Sequence, residues 1–341
     1  DNTIRLWNLA NKELRSFKAH ENGVNSLSFS PDGRMIASVG EDKTVKLWNL
    51  DGKELQTFQG HRGVVRDVSF SPNGQMLVSC GFDSTVRVWE INGRQRQTLQ
   101  GHSNWVWSAS FSPDGQMIAS ASQDNTIRLW NLDGTELHTF QGHSSWIRSV
   151  SFSPDGQTIA SASGDNTVKL WSLDGTELHT FQGHQACVMS ISFSPDGQMI
   201  ASASQDKTVK LWSLDGKELQ TFQGHSSRLR SVSFSPDGQM IASAGEDNTV
   251  KLWSLDGKEL QTFEGHRAVV KSLSFSPNGQ ILISGSDDGT IRLWSLNRRE
   301  WNLDLDDLLV RGCNWLRDYL KTNPNVSESD RTLCDDICTQ K

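Results

Sequence analysis

Short apolar runs broken by small polar residues fill most of this chain, and none settles into a helical period before residue 300. Between residues 23 and 58 the runs are 23–29, 34–39, 44–49 and 53–58. Each is rich in Val, Ile, Leu, Phe and Thr, residue types that fit a pleated, half-buried surface. Leu27 and Phe29 alternate with Ser26 and Ser28, which predicts a strand with one bulky and one small face. Turn residues separate the runs: Pro31-Asp32-Gly33, a turn near Asp42, and Asp51-Gly52. Proline pre-sets the backbone of a turn, glycine supplies its positive angle, and Asp-Gly between β-rich runs signals a hairpin. The predicted unit is four short strands joined by tight turns.

The unit is then copied. Tryptophan recurs every 41 residues, at Trp7, Trp48, Trp89, Trp130, Trp171, Trp212, Trp253 and Trp294. Histidine keeps the same period from His20 to His266, and an aspartate stands six residues before each Trp, as Asp42 before Trp48. Serine stands four residues before seven of these aspartates, and Ser-Pro-Asp-Gly or Ser-Pro-Asn-Gly occurs seven times, from Ser30 to Gly279. A period this long is one supersecondary unit, repeated. Sheets with one bulky and one small face can stack closely on one another.

Gly60-His61, Ser71-Pro72-Asn73-Gly74, Ser79, Asp83 and Trp89, with their counterparts in the other copies, resemble the WD40-repeat β-propellers over residues 1–296. The residue after each Trp is Asn, Ser or Glu, so the pair that names that family is absent, at a position peripheral to the polar network. The resemblance implies an all-β fold: a seven-bladed WD40 β-propeller of four-stranded antiparallel blades, followed by a short C-terminal helical tail. Residues 1–18 form a partial repeat, with full repeats from about residue 19. Residues 12–18 are expected to complete the final blade from the opposite terminus, which removes an exposed edge. An eighth blade would need two more strands after residue 296, and the sequence does not offer them.

In the tail, 297–341, Leu305, Leu308, Leu309, Gly312, Trp315, Leu316, Tyr319 and Leu320 recur at helical spacing, predicting an amphipathic helix over about 304–321 that Asn323-Pro324 ends. The tail resembles the ends of large bacterial, especially cyanobacterial, multidomain WD-repeat proteins. That resemblance implies a signalling protein with an upstream domain, and Asp1 falls inside a repeat, as expected of a fragment.

Charge narrows the partners. With 33 basic and 40 acidic side chains the net charge is −7, which argues against nucleic-acid binding. No apolar run reaches the roughly 18–20 residues needed to span a membrane, and no signal peptide is visible. Five scattered cysteines predict a reducing, cytoplasmic setting. Cys334 and Cys338 lack a second ligand pair, so neither a metal site nor a cofactor is expected.

Ser, His and Asp in every repeat spell a hydrolase triad, in which His takes the Ser proton and Asp holds the imidazole. An active site is needed once, whereas this set occurs seven times, and no strained elbow or oxyanion loop marks one copy. The resemblance implies a structural network instead, with His61, Ser79, Asp83 and Trp89 forming one set and His102, Ser120, Asp124 and Trp130 the next. No catalytic residue is expected.

Function must then lie where the copies differ. Three residues after each His stand Gly23, Val64, Trp105, Trp146, Cys187, Arg228 and Val269; five after stand Asn25, Arg66, Trp107, Arg148, Met189, Arg230 and Lys271. A third free column, just before the turn aspartate, reads Glu41, Phe82, Gln123, Gly164, Gln205, Glu246 and Asp287. The resemblance places these columns around the mouth of the central channel. Arg66, Phe82, Trp105, Trp107, Trp146, Arg148, Met189, Arg228, Arg230 and Lys271 are therefore the candidate binding residues, Trp and Arg being enriched at hot spots. A cationic, aromatic mouth suits a protein or peptide partner that is acidic or phosphorylated. The reading is a non-catalytic interaction scaffold or sensor. Self-assembly through the C-terminal helix, and a propeller enzyme with an unrepeated acid–base cluster, are the alternatives.

Overall fold

The computed structural model describes residues 13–296. The expected tail helix at 304–321, the rest of the tail and the first twelve residues lie outside the described residues. Among the described residues, 28 strands form seven four-stranded antiparallel sheets. The first blade runs Val24–Phe29, Met35–Gly40, Val45–Asn49 and Glu54–Phe58 in sequence order. The next five follow the same order. In the seventh, Val270–Phe275, Ile281–Ser286 and Thr290–Ser295 are completed by Glu13–Lys18, with Phe17 opposite Ile291 and Lys18 opposite Thr290. The two ends of the propeller are thus hydrogen-bonded into one sheet, which leaves no blade short of a strand. The first strands of successive blades touch in a closed circle and enclose an axial channel.

The core lies between blades, where the second strand of most repeats presents a face of small residues. Ala119 and Ala121 of the third blade receive Ile147, Val150, Phe152 and Trp171 of the fourth. Phe140 of the third blade meets Trp171 edge-on at 6.0 Å between ring centroids. The same exchange recurs around the ring. In the third to sixth blades bulky residues of the next sheet are thus seated on alanines; Ala37 and Val39, Val78 and Cys80, and Ile283 and Gly285 take those places in the first, second and seventh blades.

Two turn positions are tightly specified. In Ser112-Pro113-Asp114-Gly115, the Ser112 hydroxyl accepts the Met117 N–H at 2.9 Å while Gly115 takes a φ of 70°. The residue after each turn aspartate is also left-handed, with φ 61–73° in six blades, where it is Lys43, Ser84, Asn125, Asn166, Lys207 or Asn248, and 76° at Gly289 in the seventh. A Cβ disfavours that conformation. Lys207→Gly is expected to raise stability by about 0.5–1 kcal/mol, read as a higher melting temperature. An unchanged or lower value would show that the lysine side chain contributes more than its backbone strain.

Candidate functional site

Each blade carries one buried polar chain. In the third, His102 Nδ1 lies 2.8 Å from Asp124 Oδ2, His102 Nε2 lies 2.8 Å from Ser120 Oγ, and Trp130 Nε1 donates to Ser120 Oγ at 2.9 Å. In the second, His61, Asp83, Ser79 and Trp89 make the same three contacts at 2.9, 2.8 and 2.8 Å. All seven blades repeat it. The pattern assigns a neutral imidazole: Nδ1–H donates to the carboxylate, and Nε2 accepts the serine proton. The serine oxygen then receives the indole N–H, and all seven serines have zero exposure. Buried and already committed, these hydroxyls have no room for an acyl substrate. Burial by itself would raise the Asp124 pKa, but bonds from His102, Thr126 and the Ser103 N–H outweigh it and hold the carboxyl well below its ordinary value.

The channel is built by an irregularity in the first strand of every blade. Pairing with the second strand slips between the fourth and sixth residues after the His, as between Val106 and Ser108. The intervening residue is a bulge, and the seven bulge residues are Asn25, Arg66, Trp107, Arg148, Met189, Arg230 and Lys271. Simple alternation would send consecutive side chains to opposite faces; a bulge re-aims one of them. Here the bulge residue and its successor both line a cavity of about 130 Å³ on the axis.

The successors form a belt that the sequence columns did not single out. Ser231, Ser190, Ser149 and Ser108 each accept the N–H of the following blade, at Leu273, Val232, Ile191 and Val150, at 3.2–3.4 Å. Ser272 accepts from Leu27 at 3.2 Å, closing the circle. Asp67 replaces serine in the second blade. It accepts the Ala109 N–H at 3.1 Å, the Val68 N–H at 2.9 Å and the Ser26 hydroxyl at 2.7 Å. Burial raises its pKa against those bonds. The available signal was a column of serines with one aspartate.

At the mouth, the other two free columns are joined through their main-chain atoms. Gln123 N–H donates to Trp105 C=O at 2.8 Å, Gly164 to Trp146 at 2.9 Å, and Phe82 to Val64 at 2.9 Å. The Ser122 and Ser163 hydroxyls add bonds to the Trp105 and Trp146 carbonyls, so the free-column residues are held by their main chain and their side chains can vary. Four aromatics use that freedom: Phe82 stacks on Trp105 at 4.1 Å, and Trp107 meets Phe82, Trp105 and Trp146 edge-on at 5.0, 5.9 and 5.6 Å. Trp105 remains 40% exposed. Arg148 lies 3.8 Å from the Trp107 ring centroid and 5.1 Å from that of Trp146, and Arg66 lies 4.9 Å from Trp107.

The WD domain, G-beta repeat family profile matches residues 11–49, 52–90, 93–131, 134–172, 175–213, 216–254 and 257–295. The chain belongs to the WD40 family. No curated protein matches it. WD40 propellers are typically non-catalytic scaffolds that bind proteins or peptides.

Within this WD40 propeller the candidate residues do not all converge. Arg66, Trp107, Arg148, Met189, Arg230 and Lys271 line the channel; Phe82, Trp105 and Trp146 sit at its mouth. Arg228 does not line the channel; like Trp105 and Trp146 its carbonyl accepts a neighbouring N–H, from Glu246 at 2.8 Å, and its side chain is exposed. Glu246 pairs with Arg230, and Lys271 pairs with Asp287 and, at 3.4 Å, with Glu41. The mouth carboxylates are thus engaged by cations. Among the described residues, no group of three or more His, Cys, Asp or Glu could hold a metal, and no helix is long and apolar enough to cross a membrane. Cys80 and Cys187 are buried free thiols. His138 and His179, outside the repeating column, are half-buried against Phe140 and Phe181.

Proposed function

We propose that this WD40 propeller is a non-catalytic scaffold or sensor that captures a partner protein at the channel mouth through an acidic or phosphorylated segment. The observation that carries the reading is the contiguous surface of Phe82, Trp105, Trp107 and Trp146 with Arg66 and Arg148 stacked on it. It occupies positions whose residues are held through their main chain, so that their side chains can differ between blades. Exposed tryptophan beside arginine is the composition of an interface hot spot, and guanidinium groups select carboxylate and phosphate over neutral side chains.

An immobilised peptide library with matched acidic, phosphorylated and neutral members tests this. The wild-type protein is expected to retain acidic or phosphorylated members. Trp105→Ala combined with Arg148→Glu should release them by on the order of 30-fold or more. Leu178→Glu, on the outer edge of the fourth blade and 49% exposed, should leave capture unchanged. Equal retention of neutral members, or capture that survives in a folded double variant, would remove the mouth as the docking surface.

A further inference from the structure

The channel's charges are distributed unevenly. Toward the sixth, seventh and first blades, Arg230 and Lys271 meet Glu246, Asp287 and Glu41. Toward the second, third and fourth blades, among the described residues, neither Arg66 nor Arg148 forms an ion pair, although Asp287 and Glu41 act on Arg66 from a distance. Among the described residues, Arg66 makes one polar contact, to the neutral Asn25 Oδ1 at 3.2 Å. Arg148 has no hydrogen-bond or ion-pair partner among the described residues, and only the Trp107 and Trp146 rings lie against it. Among the described residues lining the channel the one acid is Asp67, whose oxygens are taken by Ser26, Val68 and Ala109.

Hydrogen-bond capacity points the same way. Arg66 Nε, Arg148 Nε, Arg230 Nε and Trp107 Nε1 are buried donors without an acceptor, and all four residues line the same cavity. Arg87, Arg128 and Arg292 also leave Nε unpaired, but their guanidiniums end on Gln95, Glu136 and Glu13 outside the channel. A buried donor left unpaired is costly, and like charges gathered in a narrow space repel. Burial, with Arg66 and Arg230 adding like charge, pushes the Arg148 pKa well down; burial and Arg230 lower that of Arg66 against the opposing charges of Asp287 and Glu41. An arginine still stays charged at neutral pH. A ligand that relieves this must be rich in acceptors, carry more than one negative charge and be small. The cavity, about 130 Å³, is below the usual range for drug-sized ligands.

We propose that the channel holds a phosphoryl oxyanion, gripped by Arg66 and Arg148 beside Trp107. The two guanidiniums and the indole N–H supply donors to its oxygens, and the absence of an ion pair at Arg66 or Arg148 among the described residues places it there rather than beside Lys271. Inorganic phosphate, or the phosphoryl group of a docked partner, could bring this chemistry. The proposal deepens the docking reading for the second source and is independent of it for the first.

Calorimetric titration of the full chain with inorganic phosphate, at ionic strength held constant with chloride, tests it. The expected result is saturable binding of one phosphate per chain, with acetate binding more weakly. Arg148→Gln should weaken phosphate by about 10- to 100-fold, and Arg148→Lys, which keeps the charge, by less. Arg62→Gln, at an exposed position off the channel, should match wild type. If Arg148→Gln does not fold, Arg66→Gln carries the same expectation. Trp105→Glu separates the two proposals, since it should lose peptide capture while keeping inorganic phosphate. Absence of saturable binding, acetate binding as tightly as phosphate, or undiminished phosphate binding in folded Arg148→Gln or Arg66→Gln would overturn the site.

Discussion

Trp171→Ala is expected to destabilise the propeller by about 3–5 kcal/mol, seen in urea as a lower midpoint at unchanged slope. Trp171 is 1% exposed and belongs to the core shared by the third and fourth blades, where it meets Phe140, Val150 and Ala121. Truncation opens a cavity between two sheets whose backbones are held by their own ladders, so the gap has little means to collapse. It also removes the indole N–H that Trp171 gives to Ser161 at 2.8 Å. Trp171→Phe separates the two contributions, because it restores most of the volume and none of the donor. A loss below about 1 kcal/mol for Trp171→Ala would mean that the interface re-packs, contrary to the dense packing assumed here. Trp48 offers a companion test of ring closure. Its aromatic partner is Phe17, 5.1 Å away on the strand that completes the seventh blade. Trp48→Ala therefore weakens the seam between the two ends.

The strands were legible because every boundary is written in turn residues. The runs 23–29, 34–39, 44–49 and 53–58 correspond to Val24–Phe29, Met35–Gly40, Val45–Asn49 and Glu54–Phe58. Pro and Gly dictate backbone angles locally, so a reader of residues can find them. The bulge was not legible, because it depends on a pairing slip between strands and has no residue type of its own: its seven occupants run from Asn25 to Trp107 to Lys271. Without it, strict alternation hides that Trp107 and Ser108 line the same cavity, and hence that Asp67 and the serine belt face the channel. The bulge also separates Arg228 from Arg230. Both are arginines two positions apart, yet one lies exposed before the strand and the other is the bulge residue. Side-chain chemistry is visible in a sequence; backbone irregularity that re-aims it is visible only in coordinates.

Acid should unfold this protein steeply. The seven turn carboxylates, Asp42, Asp83, Asp124, Asp165, Asp206, Asp247 and Asp288, all have pKa values held below their ordinary range. For Asp42, burial would raise the value, but His20 and Thr44 bring it down to about 2. A folded-state pKa below the unfolded one means that the unfolded chain binds protons more readily. The stabilisation is therefore complete above about pH 5 and is lost as pH falls toward the folded values, by about 2 kcal/mol for a shift like that of Asp42. Up to seven such groups act on one cooperative unit, so urea midpoints should stay level in their contribution from about pH 7 to 5 and then drop sharply. Asp124→Asn isolates one of them. It keeps an acceptor oxygen for Thr126 while removing the charge that faces His102, so it should be less stable than wild type at neutral pH by on the order of 2 kcal/mol. That gap should narrow as wild-type Asp124 becomes protonated. A gap that stayed constant down to about pH 2 would show that the aspartate acts through shape and hydrogen bonding alone, and that the carboxylate charge adds nothing to the fold.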